Sequence, residues 1–131
     1  MCLVHDADGN VELLSESSPA AKIEHKCNEC HRIISPGERY HNERFIWDGR
    51  FSIHKTCAHC MVIRCWLNDE CGGWLYGAVG EDIIEHAANG GYPIGVYRLA
   101  VGVKWKWRSR SGKLLPVPVM PKTTHERMRA A

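Results

Sequence analysis

An α+β fold built round one metal-held finger is what this sequence predicts, on three observations. Cys27-x-x-Cys30 and Cys57-x-x-Cys60 stand twenty-six residues apart, room for one β-hairpin. Two such turns can meet at one tetrahedral Zn2+, whose ligand is the thiolate. A mostly apolar helical run, Cys57 to Asp69, follows the second pair at once. Residues 96–108 then alternate apolar and basic with period two, the mark of a half-buried strand.

Each element follows in chain order. Residues 2–16 read as a hairpin, Leu3-Val4 and Val11-Glu12-Leu13-Leu14 flanking the turn signal Asp8-Gly9-Asn10. Asp6, Asp8, Asn10 and Glu12 alternate like the start of a calcium loop. Val11 stands where that loop needs glycine and Ser17 where it needs glutamate, so calcium is set aside. Ser15 to Pro19 reads as a linker. Cys27-Asn28-Glu29-Cys30 is a tight knuckle, and His31, where glycine is usual, requires an uncommon backbone. Asp48-Gly49 turns a hairpin between strands ending at Phe45-Ile46-Trp47 and beginning at Phe51-Ser52-Ile53. Thr56 caps the helix, and Gly72-Gly73 stops it.

A second short helix fits Glu81 to Asn89, with Ile83, Ile84, Ala87 and Ala88 inward and Asp82, Glu85, His86 and Asn89 outward. The period-two run places Tyr97, Leu99, Val101, Val103, Trp105 and Trp107 on a core face. Leu114 to Met120 returns as an irregular edge, since Pro116 and Pro118 cannot join a ladder. The organisation is therefore 1–24, hairpin and linker; 25–90, zinc-finger domain; 91–121, basic β-hairpin packed on it; 122–131, flexible tail.

The 131 residues suit one domain, and no apolar run approaches the ~18 residues of a membrane span. The first residues show no basic segment leading into an apolar stretch, so a signal peptide is not expected. Seven cysteines with metal spacing fit a reducing, cytoplasmic setting, with Cys2, Cys65 and Cys71 as spare thiols. Charge is lopsided. Residues 1–97 hold 8 basic and 14 acidic residues, net −6; residues 98–131 hold 9 basic and one acid, Glu126, net +8. The basic part suits a polyanion or an acidic protein; it equally suits a solvated face complementing the acidic part.

Knuckle, hairpin and helix in this order make a treble-clef-like arrangement. Cys27 to Cys30, Pro36-Gly37-Glu38, Trp47 to Phe51 and Lys55 to Cys60, with Cys71-Gly72-Gly73-Trp74 and Glu81-Asp82-Ile83, resemble small zinc-finger proteins of bacteria and their phages over residues 22–87. That resemblance implies a zinc-held binding scaffold, in the host cytoplasm if the chain is phage-encoded. Cys27-x-x-Cys30 with His54-x-x-Cys57 is similar, over a shorter stretch, to the first half of a LIM module and to the nick-sensing finger of poly(ADP-ribose) polymerases. No further C-x-x-C follows Cys60 as LIM requires, and the polymerase finger spaces its pairs more widely. Both groups are binding modules, which implies recognition rather than catalysis.

The metal ligands read as Cys27, Cys30, Cys57 and Cys60, with His54 in place of Cys60 as the alternative. His41-Asn42-Glu43 before Cys57-x-x-Cys60 is a poor match to a zinc deaminase, since Thr56 stands where proline is needed. A treble-clef nuclease could use His41 or His54 but lacks an acid–histidine pairing before the hairpin. No catalytic residue is therefore assigned and the chain is read as non-enzymatic. Arg98, Lys104, Lys106, Arg108, Arg110 and Lys113 are the candidate nucleic-acid contacts, with Trp105 and Trp107 read as core rather than as stacking platforms. The expected function is nucleic-acid binding; the alternative is an adaptor or inhibitor gripping a host protein. Neither a membrane nor a small-molecule substrate is expected.

Overall fold

A computed structural model describes residues 2–3 and 11–130. The architecture is α+β. The strands are β1 (Val11–Ser17), β2 (His25–Lys26), β3 (Ile33–Ile34), β4 (Tyr40–Trp47) and β5 (Arg50–Cys57). The helices are α1 (Ala58–Cys71), α2 (Val79–Asn89), α3 (Ile94–Lys104) and α4 (Thr124–Ala130). An antiparallel sheet runs β1-β4-β5, and β2 pairs with β3 in a separate two-stranded ribbon. Asp48 and Gly49 both take positive φ, 51° and 75°, the backbone a two-residue hairpin needs to match strand twist.

At the start of the chain the described strand is β1, and it pairs with β4. The first arm of the expected hairpin falls largely on residues 4–10, outside the described residues. Ser15 to Ser17, expected as linker, belong to β1 and face Arg44 to Asn42 across a register shift. Polar residues suit such an edge, where water completes the backbone pairing.

Helix α1 is buried on most of its surface, as its composition requires. Ile63, Trp66 and Leu67 reach the core beside Ile34, Val79, Ile83, Val96 and Leu99. Helix α2 forms where expected but turns a different stripe inward. Asp82 and His86 are buried with Ile83, whereas Ile84 is 41% exposed. Asp82 and His86 are four apart, so each supplies the other's polar contact and both can leave water together.

The expected basic hairpin is the main correction. Residues 94–104 are helix α3, and the return from Leu114 makes a single bridge, to Arg108. The run contains two periods at once. Val96, Leu99, Ala100 and Val103 sit at i, i+3, i+4 and i+7, and all four are buried, as is Gly102. Tyr97, Val101 and Trp105, assigned to the core by alternation, are exposed. Burial against α2 decides between the periods, because the helical stripe fits a neighbouring helix.

After α3 the backbone passes through two left-handed residues, Lys106 (φ 54°) and Trp107 (φ 61°). They swing Trp107 back until its ring lies where a side chain at position 102 would stand, and only glycine leaves that space. Residues 122–130, expected as a flexible tail, begin with an anchored turn. Thr123 is buried, Thr124 donates its amide and hydroxyl to Glu70 at 2.7 Å each, and Trp66 Nε1 donates to the Lys122 carbonyl at 3.4 Å.

Candidate metal centre

The knuckle closes on itself through the His31 amide, which donates to the Cys27 carbonyl at 3.0 Å, with His31 at φ 65°. That is the left-handed backbone expected of this position. The Asn28 amide donates to the Lys55 carbonyl at 2.8 Å, and the Lys55 amide to Asn28 Oδ1 at 2.7 Å. These bonds clamp the knuckle to β5. Cys57 ends β5 and caps α1, while Cys60 lies in the first turn of α1. Two separate turns thus deliver two cysteines each to one point.

All four cysteines are buried, and their sulfurs lie within 4.8 Å of one another, a group able to hold one metal ion. A tetrahedron with metal–sulfur bonds of about 2.3 Å has sulfur–sulfur edges of about 3.8 Å. Cys30 and Cys57 stand 3.9 Å apart, one edge of the length such a tetrahedron has. N–H groups face the sulfurs, as thiolate ligands need. The Glu29 and Cys57 amides donate to Cys27 Sγ at 3.4 and 3.3 Å, and the Cys60 amide to Cys57 Sγ at 3.5 Å. Trp107 Nε1 donates to Cys60 Sγ at 3.3 Å. Hydrogen bonding from Cys30 leads in drawing Cys27 down to about 7. Bonds from Cys27 and Cys30 draw Cys57 well below the ordinary thiol range. Contact with Cys27, above all, pushes Cys30 and Cys60 up.

His54 is turned away from this cluster. Its Nε2–H donates to Glu29 Oε2 at 2.8 Å, and Glu29 also accepts from the Gly77 and Val79 amides. His59 has its tautomer set by its neighbours. Arg32 only donates, so Nδ1 accepts at 3.2 Å and Nε2–H donates to the Leu115 carbonyl at 2.6 Å. His59 also lies against Trp107, ring centroids 5.4 Å apart. The Trp107 link to the four-cysteine cluster had no sequence signal, because it depends on the two left-handed residues after α3.

Among the candidate nucleic-acid contacts, Arg98 and Lys104 lie on α3 and the others follow it. Arg98, Lys104, Lys106, Arg110 and Lys113 are exposed; Arg108 is half-buried and donates to the Gly112 carbonyl at 3.3 Å. The two tryptophans part company: Trp107 is 2% exposed and Trp105 is 69% exposed. Cys2 and Cys71, expected as spare thiols, are joined as a disulfide, while Cys65 is free and exposed. Their pairing needs Cys2 brought to the end of α1, a long-range contact that spacing does not encode.

No protein-family model, curated protein or solved structure matches this chain. Among the described residues no helix is long and apolar enough to cross a membrane.

Proposed function

We propose that this chain is a non-enzymatic zinc protein of treble-clef type that binds single-stranded nucleic acid through the segment from Arg98 to Lys113. Zinc held by Cys27, Cys30, Cys57 and Cys60 stabilises the scaffold. The observation that carries the reading is Trp105, a large exposed aromatic between the exposed Lys104 and Lys106. A flat apolar ring flanked by ammonium groups suits a base stacked on the ring and phosphates neutralised beside it. Trp107, fastened to Cys60, holds the same backbone in place, so the metal centre supports the binding segment.

The test is binding of a fluorescent single-stranded oligonucleotide across a salt series. Charge reversal at Lys104, Lys106 and Arg108 should abolish binding, and the logarithm of the wild-type binding constant should fall linearly with log salt. Unchanged affinity in the triple variant would sink the proposal.

A second reading, an adaptor that grips a protein, is favoured by a different surface. Trp47, Phe51 and Ile53 on β4 and β5 are about half exposed, as are Val11 and Leu13 on β1. A partner captured despite nuclease and moderate salt, and lost on Phe51→Asp, would support it over nucleic-acid binding.

A further inference from the structure

A second group of metal-binding atoms lies away from the four-cysteine centre, between the start of the chain, the end of α1 and the middle of α2. Cys2 Sγ and Cys71 Sγ stand 3.6 and 3.5 Å from one atom, His86 Nε2. The tautomer of His86 follows from its other nitrogen. Nδ1 faces the Asp82 carbonyl oxygen at 2.8 Å, and a carbonyl only accepts, so the proton is on Nδ1. In the neutral ring Nε2 then carries a lone pair aimed at two sulfurs. A histidine held through Nδ1–H with Nε2 presented outward is the form that metal-ligating imidazoles adopt.

The surroundings hold the ring in this orientation. Asp82 is 1% exposed, and its Oδ1 lies 3.1 Å from His86 Nδ1. A carboxylate behind the far nitrogen fixes the tautomer of a ligating imidazole and raises its basicity. Asp82 Oδ2 accepts the Leu3 amide at 3.4 Å, which places Cys2 over the site. Trp66 and Tyr92 wall the imidazole in, ring centroids 5.3 and 5.4 Å away.

We propose that reduction of the Cys2–Cys71 disulfide opens a second zinc site, made by Cys2 Sγ, Cys71 Sγ and His86 Nε2, with water or an added ligand in the fourth position. Two equivalents of a low-molecular-weight thiol supply two electrons and two protons to the cysteines and leave as their own disulfide. Zn2+ displaces both thiol protons as two zinc–sulfur bonds form, and Nε2 donates the third ligand pair. Oxidation reverses the sequence and releases the ion. The chain would therefore carry one permanent zinc and one that reports the thiol–disulfide state of its surroundings.

Zinc per chain is measured on the full chain after removal of loosely bound metal, once under thiol reductant and once after oxidation. Two equivalents are expected reduced and one oxidised. Cys2→Ser and His86→Gln should each hold one equivalent in reductant, and added zinc should raise the melting temperature of reduced wild type but not of Cys2→Ser. Cys2 is only half-buried, so its variant keeps the test open if His86→Gln fails to fold. One equivalent in reduced wild type, or a second equivalent that survives both substitutions, would overturn the proposal.

Discussion

Trp107 donates its indole N–H to Cys60 Sγ over 3.3 Å, joining the segment after α3 to the four-cysteine cluster. A hydrogen bond to a charged acceptor contributes about 1.5–3 kcal/mol, and phenylalanine keeps most of the ring while removing the donor. Trp107→Phe should therefore release zinc faster to a competing chelator while the protein stays folded. An unchanged release rate would show that the indole N–H does nothing for Cys60. Gly102→Ala should be worse, because the added methyl collides with the Trp107 ring. Its expected cost is about 1–3 kcal/mol in a denaturant melt.

Removing the metal should remove the finger. Structural zinc contributes about 10–16 kcal/mol in small sites, more than the net stability of most domains. Cys30→Ser, or wild type with a strong chelator at neutral pH, should lose its cooperative thermal transition. The β2–β3 ribbon flanks Cys27 and Cys30 directly, so its amides and those of the knuckle should lose protection from exchange when the metal leaves.

Trp105 separates binding from folding. Trp105→Ala removes an exposed ring, so its melting temperature should match wild type. Its affinity for single-stranded oligonucleotide should fall by about 1–3 kcal/mol. Equal affinity in the two proteins would leave only charge to explain any binding.

Arg64 and Glu43 form a buried ion pair that also takes in Thr56, which accepts from Arg64 at 2.9 Å, and Tyr76, which donates to Glu43 at 2.8 Å. The Arg64 guanidinium lies 3.8 Å from the Trp74 ring centroid. Glu43→Ala would strand a buried cation, a loss of about 3–5 kcal/mol. The double change Glu43→Ala with Arg64→Met should recover much of that in a urea melt. Equal destabilisation of single and double variants would mean that the pair is not what the sheet and α1 rely on.

Acid should weaken a second contact. Burial alone would raise the Glu38 carboxyl, but hydrogen bonds from Arg32 and the Ser35 amide outweigh it and hold it below the ordinary range. A depressed native value adds stability above the unfolded value of about 4.3, lost as pH falls through the native one. The stability gap between wild type and Glu38→Gln should be full at pH 7 and close below about pH 4. A gap that is the same at both pH values would contradict this.

What the sequence made legible is the part fixed by local chemistry. The cysteine spacing, the Asp48-Gly49 turn and the left-handed His31 each depend on a few adjacent residues, and all three are where the spacing places them. The segment 96–108 misled because Leu99 and Val103 satisfy both a period of two and a period of 3.6. Only the neighbouring α2 selects the helix. The stripe on α2 misled because Asp82 and His86 look like solvent residues until they are paired with each other. The Cys2–Cys71 disulfide and the Trp107–Cys60 bond join residues far apart in sequence, and no local pattern announces them.

The central claim rests on four sulfurs round one ion. Zinc-edge X-ray absorption on the Cys2→Ser protein, which lacks the second group of ligands, tests it most directly. The account predicts one zinc per chain with four sulfur neighbours at about 2.3 Å. A chain without stoichiometric zinc, or zinc in a shell of nitrogen and oxygen, would contradict it.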